Sequence, residues 1–133
     1  MICVIRIKGQ VGLNKDVKET LNRLKIRRKF AARVFENPSA VEIGMINRVR
    51  NFVSFGEIST ETHKKLIDAR GQMQKNKSST SPSKESRTKD NEGKLKPFFR
   101  LHPPRGGANM KLHYPKGVLG ENKKMDELIQ KML

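Results

Sequence analysis

Apolar and polar residues alternate with period two from Ile2 to Lys8. Cys3, Ile5 and Ile7 fall on one face and Val4, Arg6 and Lys8 on the other, the pattern of a half-buried strand. Gly9 to Gly12 breaks the alternation, after which Asn14 can cap a helix with Val17, Leu21 and Leu24 at helical spacing. Asp16 in the first turn is favourably placed, and the helix should end near Lys25 to Arg28. Phe30 to Glu36, aromatic and β-branched, predicts a second strand that Asn37-Pro38 stops. Ser39 with Glu42 three residues on forms a capping box. Val41, Met45, Val49 and Phe52, flanked by Ile46 and Val53, then predict a helix packed on the same sheet. Gly44 inside it costs about 1 kcal/mol relative to Ala, so a close approach to another backbone or to a ligand is expected there. Ser59 opens a third helix that runs through Leu66 and Ile67 to Arg70, with Gly71 as its stop.

Residues 74–94 contain no hydrophobic residue, so burial cannot offset their ordering entropy and a flexible loop is expected in the free chain. Leu95 to Leu101 predicts a third strand, ended by His102-Pro103-Pro104-Arg105-Gly106-Gly107. Asn122 can cap a terminal helix with Met125, Leu128, Ile129 and Met132 on one face, suited to the chain's own sheet or to a neighbouring chain. Three strands with helices crossing between them predict an α+β two-layer domain, its helices on one face of a small sheet.

Charge changes this picture of an ordinary small domain. The 133 residues include 29 Lys and Arg against 13 Asp and Glu, a formal charge of +16 around only 35% hydrophobic residues. Such an excess repels itself unless an anionic partner lies alongside, so a polyanion is the first expectation. The excess is uneven: residues 1–56 carry 12 basic and 4 acidic side chains, residues 97–120 carry 4 basic and none acidic, and the stretches 57–71 and 121–133 are balanced. Neutral stretches between basic ones suggest an ordered basic face. The single cysteine excludes an internal disulfide or a thiolate-rich zinc site and fits a reducing compartment. No apolar run approaches the ~20 residues needed to cross a bilayer, and no basic segment precedes the first strand as in a signal peptide, so a cytoplasmic protein without a membrane partner is expected.

Enzymatic and metal chemistry find little support. His63, His102 and His113 belong to no metal-binding spacing, and no metal or cofactor is expected. Cys3, on a core-facing strand position, reads as a small inert hydrophobe. The glycines of Lys8-Gly9-Gln10-Val11-Gly12-Leu13-Asn14-Lys15 suit either a turn with a helix cap or a backbone contact to RNA phosphate. The loop is not a P-loop, and it lacks the arginine that acylphosphatases of similar topology need there. The positive signal lies in basic patches: Lys8, Arg27, Arg28, Lys29 and Arg33; Arg48 and Arg50; and Arg100, Arg105, Lys111 and Lys116. Arg105-Gly106-Gly107 sets a forked guanidinium beside two residues whose backbone can approach phosphates or bases closely, with His102 or His113 able to fix register. A free-standing DNA- or RNA-coating protein is the alternative, disfavoured by the absence of Trp and the scarcity of aromatic stacking platforms.

Several stretches are also distinctive together: Gly44-Met45-Ile46-Asn47, Asn51-Phe52-Val53-Ser54-Phe55-Gly56-Glu57, Phe99-Arg100-Leu101-His102-Pro103-Pro104-Arg105-Gly106-Gly107, His113-Tyr114-Pro115 and Gly117-Val118-Leu119-Gly120. With the opening strand and Gly9, they closely resemble the archaeal form of the large-subunit ribosomal protein L-thirty family, called L-seven in eukaryotes. The resemblance covers about residues 1–71 and 97–133. It implies a βαβαβ core with a three-stranded antiparallel sheet, the first strand central, two helices on one face, and insertions between the second helix and the last strand. One domain is then expected, with its core at 1–56 and 95–107, an insertion at 57–94 that is flexible from 72, and a C-terminal extension at 108–133. The resemblance further implies a non-enzymatic place in the large subunit, bound to large-subunit ribosomal RNA, near 5S RNA and beside neighbouring ribosomal proteins.

Overall fold

The computed structural model describes residues 1–73 and 95–133, so the flexible stretch expected from residue 72 lies, from 74 onward, outside the described residues. The elements follow as β1 (Ile2–Arg6), α1 (Lys15–Arg23), β2 (Ala31–Phe35), α2 (Ala40–Arg48), β3 (Val53–Glu57), α3 (Thr60–Arg70), β4 (Phe99–Arg100), β5 (Gly120–Glu121) and α4 (Met125–Met132). They form one sheet in the order β4-β2-β1-β3-β5. β1 is central and antiparallel to both neighbours, pairing Val4 with Arg33 of β2 and with Phe55 of β3. β4 extends the β2 side antiparallel, while β5 joins β3 in parallel.

The sheet therefore has five strands of mixed direction, not three antiparallel ones, and helices cover both its faces rather than one. Cys3, Ile5 and Ile7 pack with Leu66 of α3 and with Met125, Leu128, Ile129 and Met132 of α4. Val4 points the other way, into a second core with Leu21 and Leu24 beside α1, Ile46 and Val49 beside α2, and Phe35 of β2. Period two along β1 thus separates two cores, not a core from solvent. Even Arg6, on the face expected to be wet, is only 1% exposed. The βαβαβ core and central first strand are as the resemblance implied, with α1 and α2 on one face; α3 and α4 supply the third layer.

The third core strand lies earlier than the segment expected to form it. β3 follows α2 directly, whereas 95–101 contributes only the two-residue edge strand β4 and an isolated bridge between Met73 and Leu95. Pro97 and Pro103, which lack a backbone donor, bracket that edge. The helix expected to run through Phe52 ends at Arg48, capped at Val49, because Phe52 turns the chain: its N–H donates to Val49 O at 2.8 Å and its carbonyl accepts from Ile7 and Lys8. The apolar row is rotated accordingly. Ile46 and Val49 are buried, while Val41 is 71% exposed. Gly44 makes no close approach, since a Cβ there would have open space around it; Gly56 does, since a Cβ there would lie 2.2 Å from Asn122 O.

Local signals fared better. Ser39 accepts from Glu42 N at 3.3 Å while Ser39 N donates to the Glu42 carboxylate at 2.9 Å, completing the capping box. Ser59 caps α3 through Thr62 N, and Gly71 closes it. Asn14 holds the N-cap position of α1 without a side-chain cap bond. Asn122 accepts from Lys124 N at 2.9 Å, forming a turn just ahead of α4 rather than its cap. The apolar face of α4 is buried against the chain's own sheet.

Candidate nucleic-acid interface

The buried Arg6 organises one end of the sheet. Its guanidinium donates to Lys8 O at 3.0 Å and Gly9 O at 2.9 Å, and also to the carbonyls of Ile26 and Arg27. One side chain thus ties the loop after β1 to the loop between α1 and β2, and burial pushes its pKa down from the ordinary arginine value. The inward-facing carbonyls of Lys8 and Gly9 make 8–14 a turn leading into α1, and Lys8 Nζ lies 5.7 Å from the Phe52 ring centre.

The α1–β2 loop carries Arg27, Arg28 and Lys29, all exposed. Lys25 and Phe30, at its two ends, have left-handed backbones with φ of 61° and 60°, which non-glycine residues adopt only at a cost of about 1 kcal/mol or more each. Phe30 N donates to Arg6 O at 2.7 Å and Leu101 N donates to Phe30 O at 2.9 Å, so β1 and the chain beyond β4 both hold that end. Pairing of Ala31 with Arg100 brings Arg100 to the same place. Arg27, Arg28, Arg100, Lys25, Asn22, Ala31 and Phe98 line a cavity of about 380 Å³. Lys29 Nζ lies 4.8 Å from the Phe30 ring centre.

Arg33 and Arg48 are engaged within the protein. Arg33 stacks 4.4 Å from the Phe35 ring centre and faces Glu42 at 4.0 Å, half-buried; Arg48 meets Asp16 at 3.0 Å, linking α2 to α1. Arg50 is brought to His113, and both line a cavity of about 280 Å³ with Asn47, Asn51, Phe55, Gly120 and Glu121.

The acid-free stretch continues from β4 into the turn at 102–107. Its backbone is fastened to the end of α4: His102 N donates to Met132 O at 2.9 Å and Arg105 N to Lys131 O at 2.8 Å. Gly106 and Gly107 have φ of +77° and +74°, and a Cβ on either would meet nothing, so their glycines answer a backbone need rather than a crowded one. His102 and Arg105 are exposed at this turn. The next loop folds on itself, with Val118 N donating to Asn109 O and Leu119 N to Leu112 O, and it buries Leu119 while leaving Lys111 and Lys116 exposed. Gly117 and Gly120 permit that folding, since a Cβ on the first would strike Leu112 O at 2.1 Å and one on the second His113 Nδ1 at 2.8 Å.

Of the expected residues, Arg27, Arg28 and Arg100 meet in a cationic cavity at the β4 edge, His102, Arg105, Gly106 and Gly107 form a turn at the end of α4, and Arg50 and His113 line a pocket beside β5, whereas Lys8, Lys29, Arg33, Arg48, Lys111 and Lys116 line neither cavity. Arg6, Lys25 and Phe98 escaped the sequence reading. A cation inside an alternating apolar strand was the available signal for Arg6, whereas nothing in the sequence marks Lys25 for a left-handed backbone. Among the described residues, no cluster of His, Cys, Asp or Glu is arranged to hold a metal ion, and no helix is long and apolar enough to cross a membrane. Cys3 is fully buried, and burial together with the nearby Asp126 carboxylate pushes its thiol up to about 12.

Fold and surface define a small α+β protein with a cationic rim carried on short loops. A family model described as Ribosomal protein L30p/L7e matches residues 2–53, from β1 to the start of β3. Similarity extends further in individual proteins. The large ribosomal subunit protein uL30 of Archaeoglobus fulgidus is 34% identical over 99% of this chain and 99% of its own length. That of Methanopyrus kandleri is 30% identical over 96% of this chain and all of its own, and that of Pyrobaculum aerophilum 34% identical over 98% and 92%. The chain belongs to the ribosomal protein L30p/L7e family.

Proposed function

We propose that the chain is a structural, non-enzymatic component of the large ribosomal subunit that binds and stabilises folded ribosomal RNA. The observation that carries this reading is the acid-free stretch 97–120, whose Arg100, Arg105, Lys111 and Lys116 all remain at the surface of a chain with a formal charge of +16. Lys and Arg there, with Lys8, Arg27, Arg28, Lys29 and Arg50, release counterions from the RNA backbone, so affinity falls steeply with salt. Narrow A-form grooves hinder side-chain readout, so recognition is of shape and phosphate at a folded junction, with Gly106, Gly107, His102 and His113 setting register. Arg33 and Arg48, held by Glu42 and Asp16, contribute less of their charge to the RNA. 5S RNA and adjacent ribosomal proteins are the further partners of this reading.

Sedimentation tests it. A tagged copy should travel with the large subunit in stoichiometric amount, and Arg105→Ala should reduce incorporation more than Lys75→Ala. A chain found free of ribosomes, or on DNA, contradicts the assignment.

A further inference from the structure

We propose that the cavity between the α1–β2 loop and β4 receives a single unstacked nucleotide of the bound RNA, its base against Phe98 and its phosphate among the surrounding cations. The proposal rests on the RNA-binding reading and adds a site to it. Its volume of about 380 Å³ is in the range of small-molecule sites. Its chemistry is that of a nucleotide: Phe98 and Ala31 offer apolar surface, Lys25, Arg27, Arg28 and Arg100 offer positive charge, and no carboxylate lines it. The cavities between α1 and α2 and beside β5 each include acidic side chains, Asp16 and Glu19 in one and Glu121 in the other, which makes them poorer hosts for a phosphate.

The geometry is also prepared in advance. The Arg100 guanidinium lies 6.0 Å from the Phe98 ring centre, so a flat base has an aromatic face and a planar cation within one site. The left-handed residues at both ends of the loop, together with the Arg6 bonds to the carbonyls of Ile26 and Arg27, fix the segment that carries Lys25, Arg27 and Arg28, three of the four cations. Little ordering is then left for binding to supply. Backbone strain held in place by a buried side chain is the kind of feature that accompanies a binding site. A peptide carboxylate would satisfy the cations but would leave the aromatic face without a planar partner.

The test uses the full chain and a large-subunit ribosomal RNA transcript containing 4-thiouridine. Phe98→Leu keeps an apolar side chain and, with an unchanged thermal melt, should weaken binding about tenfold without altering its salt dependence, since stacking is lost but no charge. Arg28→Ala should instead lower the log–log salt slope by about 1. Irradiation should crosslink the wild-type peptide containing Phe98 to RNA, and Phe98→Leu should abolish that crosslink. Adenosine monophosphate should compete only at millimolar concentration, because a lone nucleotide lacks the effective concentration that tethering gives. Tight adenosine monophosphate binding would overturn the proposal in favour of a free nucleotide, and Phe98-dependent capture of polyglutamate in favour of a protein partner. If Phe98→Leu binds RNA as tightly as wild type and keeps the crosslink, the nucleotide site is wrong while the RNA-binding reading stands; if wild type itself ignores the RNA, both fail.

Discussion

Arg6 shows how much one side chain can decide. It sits inside the sheet with its charge spread over carbonyls of two loops, and removing it leaves those acceptors without the donor they were built around. Arg6→Met should cost about 2–4 kcal/mol in urea unfolding and should also loosen the α1–β2 loop, visible as faster amide exchange around Arg27 and Arg28. Cys3 supplies a contrasting case. Its folded thiol titrates near 12 against an ordinary value of 9.0, so the unfolded chain loses that proton first as pH rises. The contribution is complete below about pH 9 and is lost progressively as pH rises toward about 12. Thermal melts at pH 8 and pH 10.5 should show wild type losing more stability than Cys3→Ala, and folded wild type should resist thiol alkylation. The burial of Cys3 was legible because its strand position was; the role of Arg6 was not, because alternation alone cannot distinguish a wet face from a second core.

At the scale of elements, the signals that hold are those whose cause is local. Ser39 and Glu42 specify a helix start through two reciprocal bonds, and α2 begins where they place it. Ser39→Ala should therefore cost about 1 kcal/mol in unfolding free energy. What local reasoning missed was β3: Val49, Phe52 and Val53 continue a helical apolar row, and only pairing with β1 makes Val53 to Glu57 a strand. Long-range pairing overrides periodicity there. The same distinction sorts the glycines. Gly44→Ala, in open space on a helix, should stabilise the fold by about 1 kcal/mol, whereas Gly56→Ala, whose methyl would strike Asn122 O, should destabilise it by about 2 kcal/mol or more. Denaturant midpoints moving in the same direction for both would contradict this division.

For the whole molecule, the cores and the rim are separate achievements of one sequence. Two apolar layers on either face of the sheet hold short loops in place, and most of the cations of interest sit on those loops or at sheet edges rather than on helix faces. Segment charge exposed this division early, since 97–120 contains four cations and no acid. It did not reveal that Arg27, Arg28 and Arg100 meet, because only the β2–β4 pairing joins stretches about seventy residues apart. The central claim is that these exposed cations hold ribosomal RNA by phosphate contact. Its most direct measurement is the affinity of the purified chain for large-subunit ribosomal RNA across a series of salt concentrations. The account predicts tight binding at low salt with a log–log slope of about −5 or steeper, as several phosphate contacts require. A flat salt dependence, or no binding at low ionic strength, would contradict it.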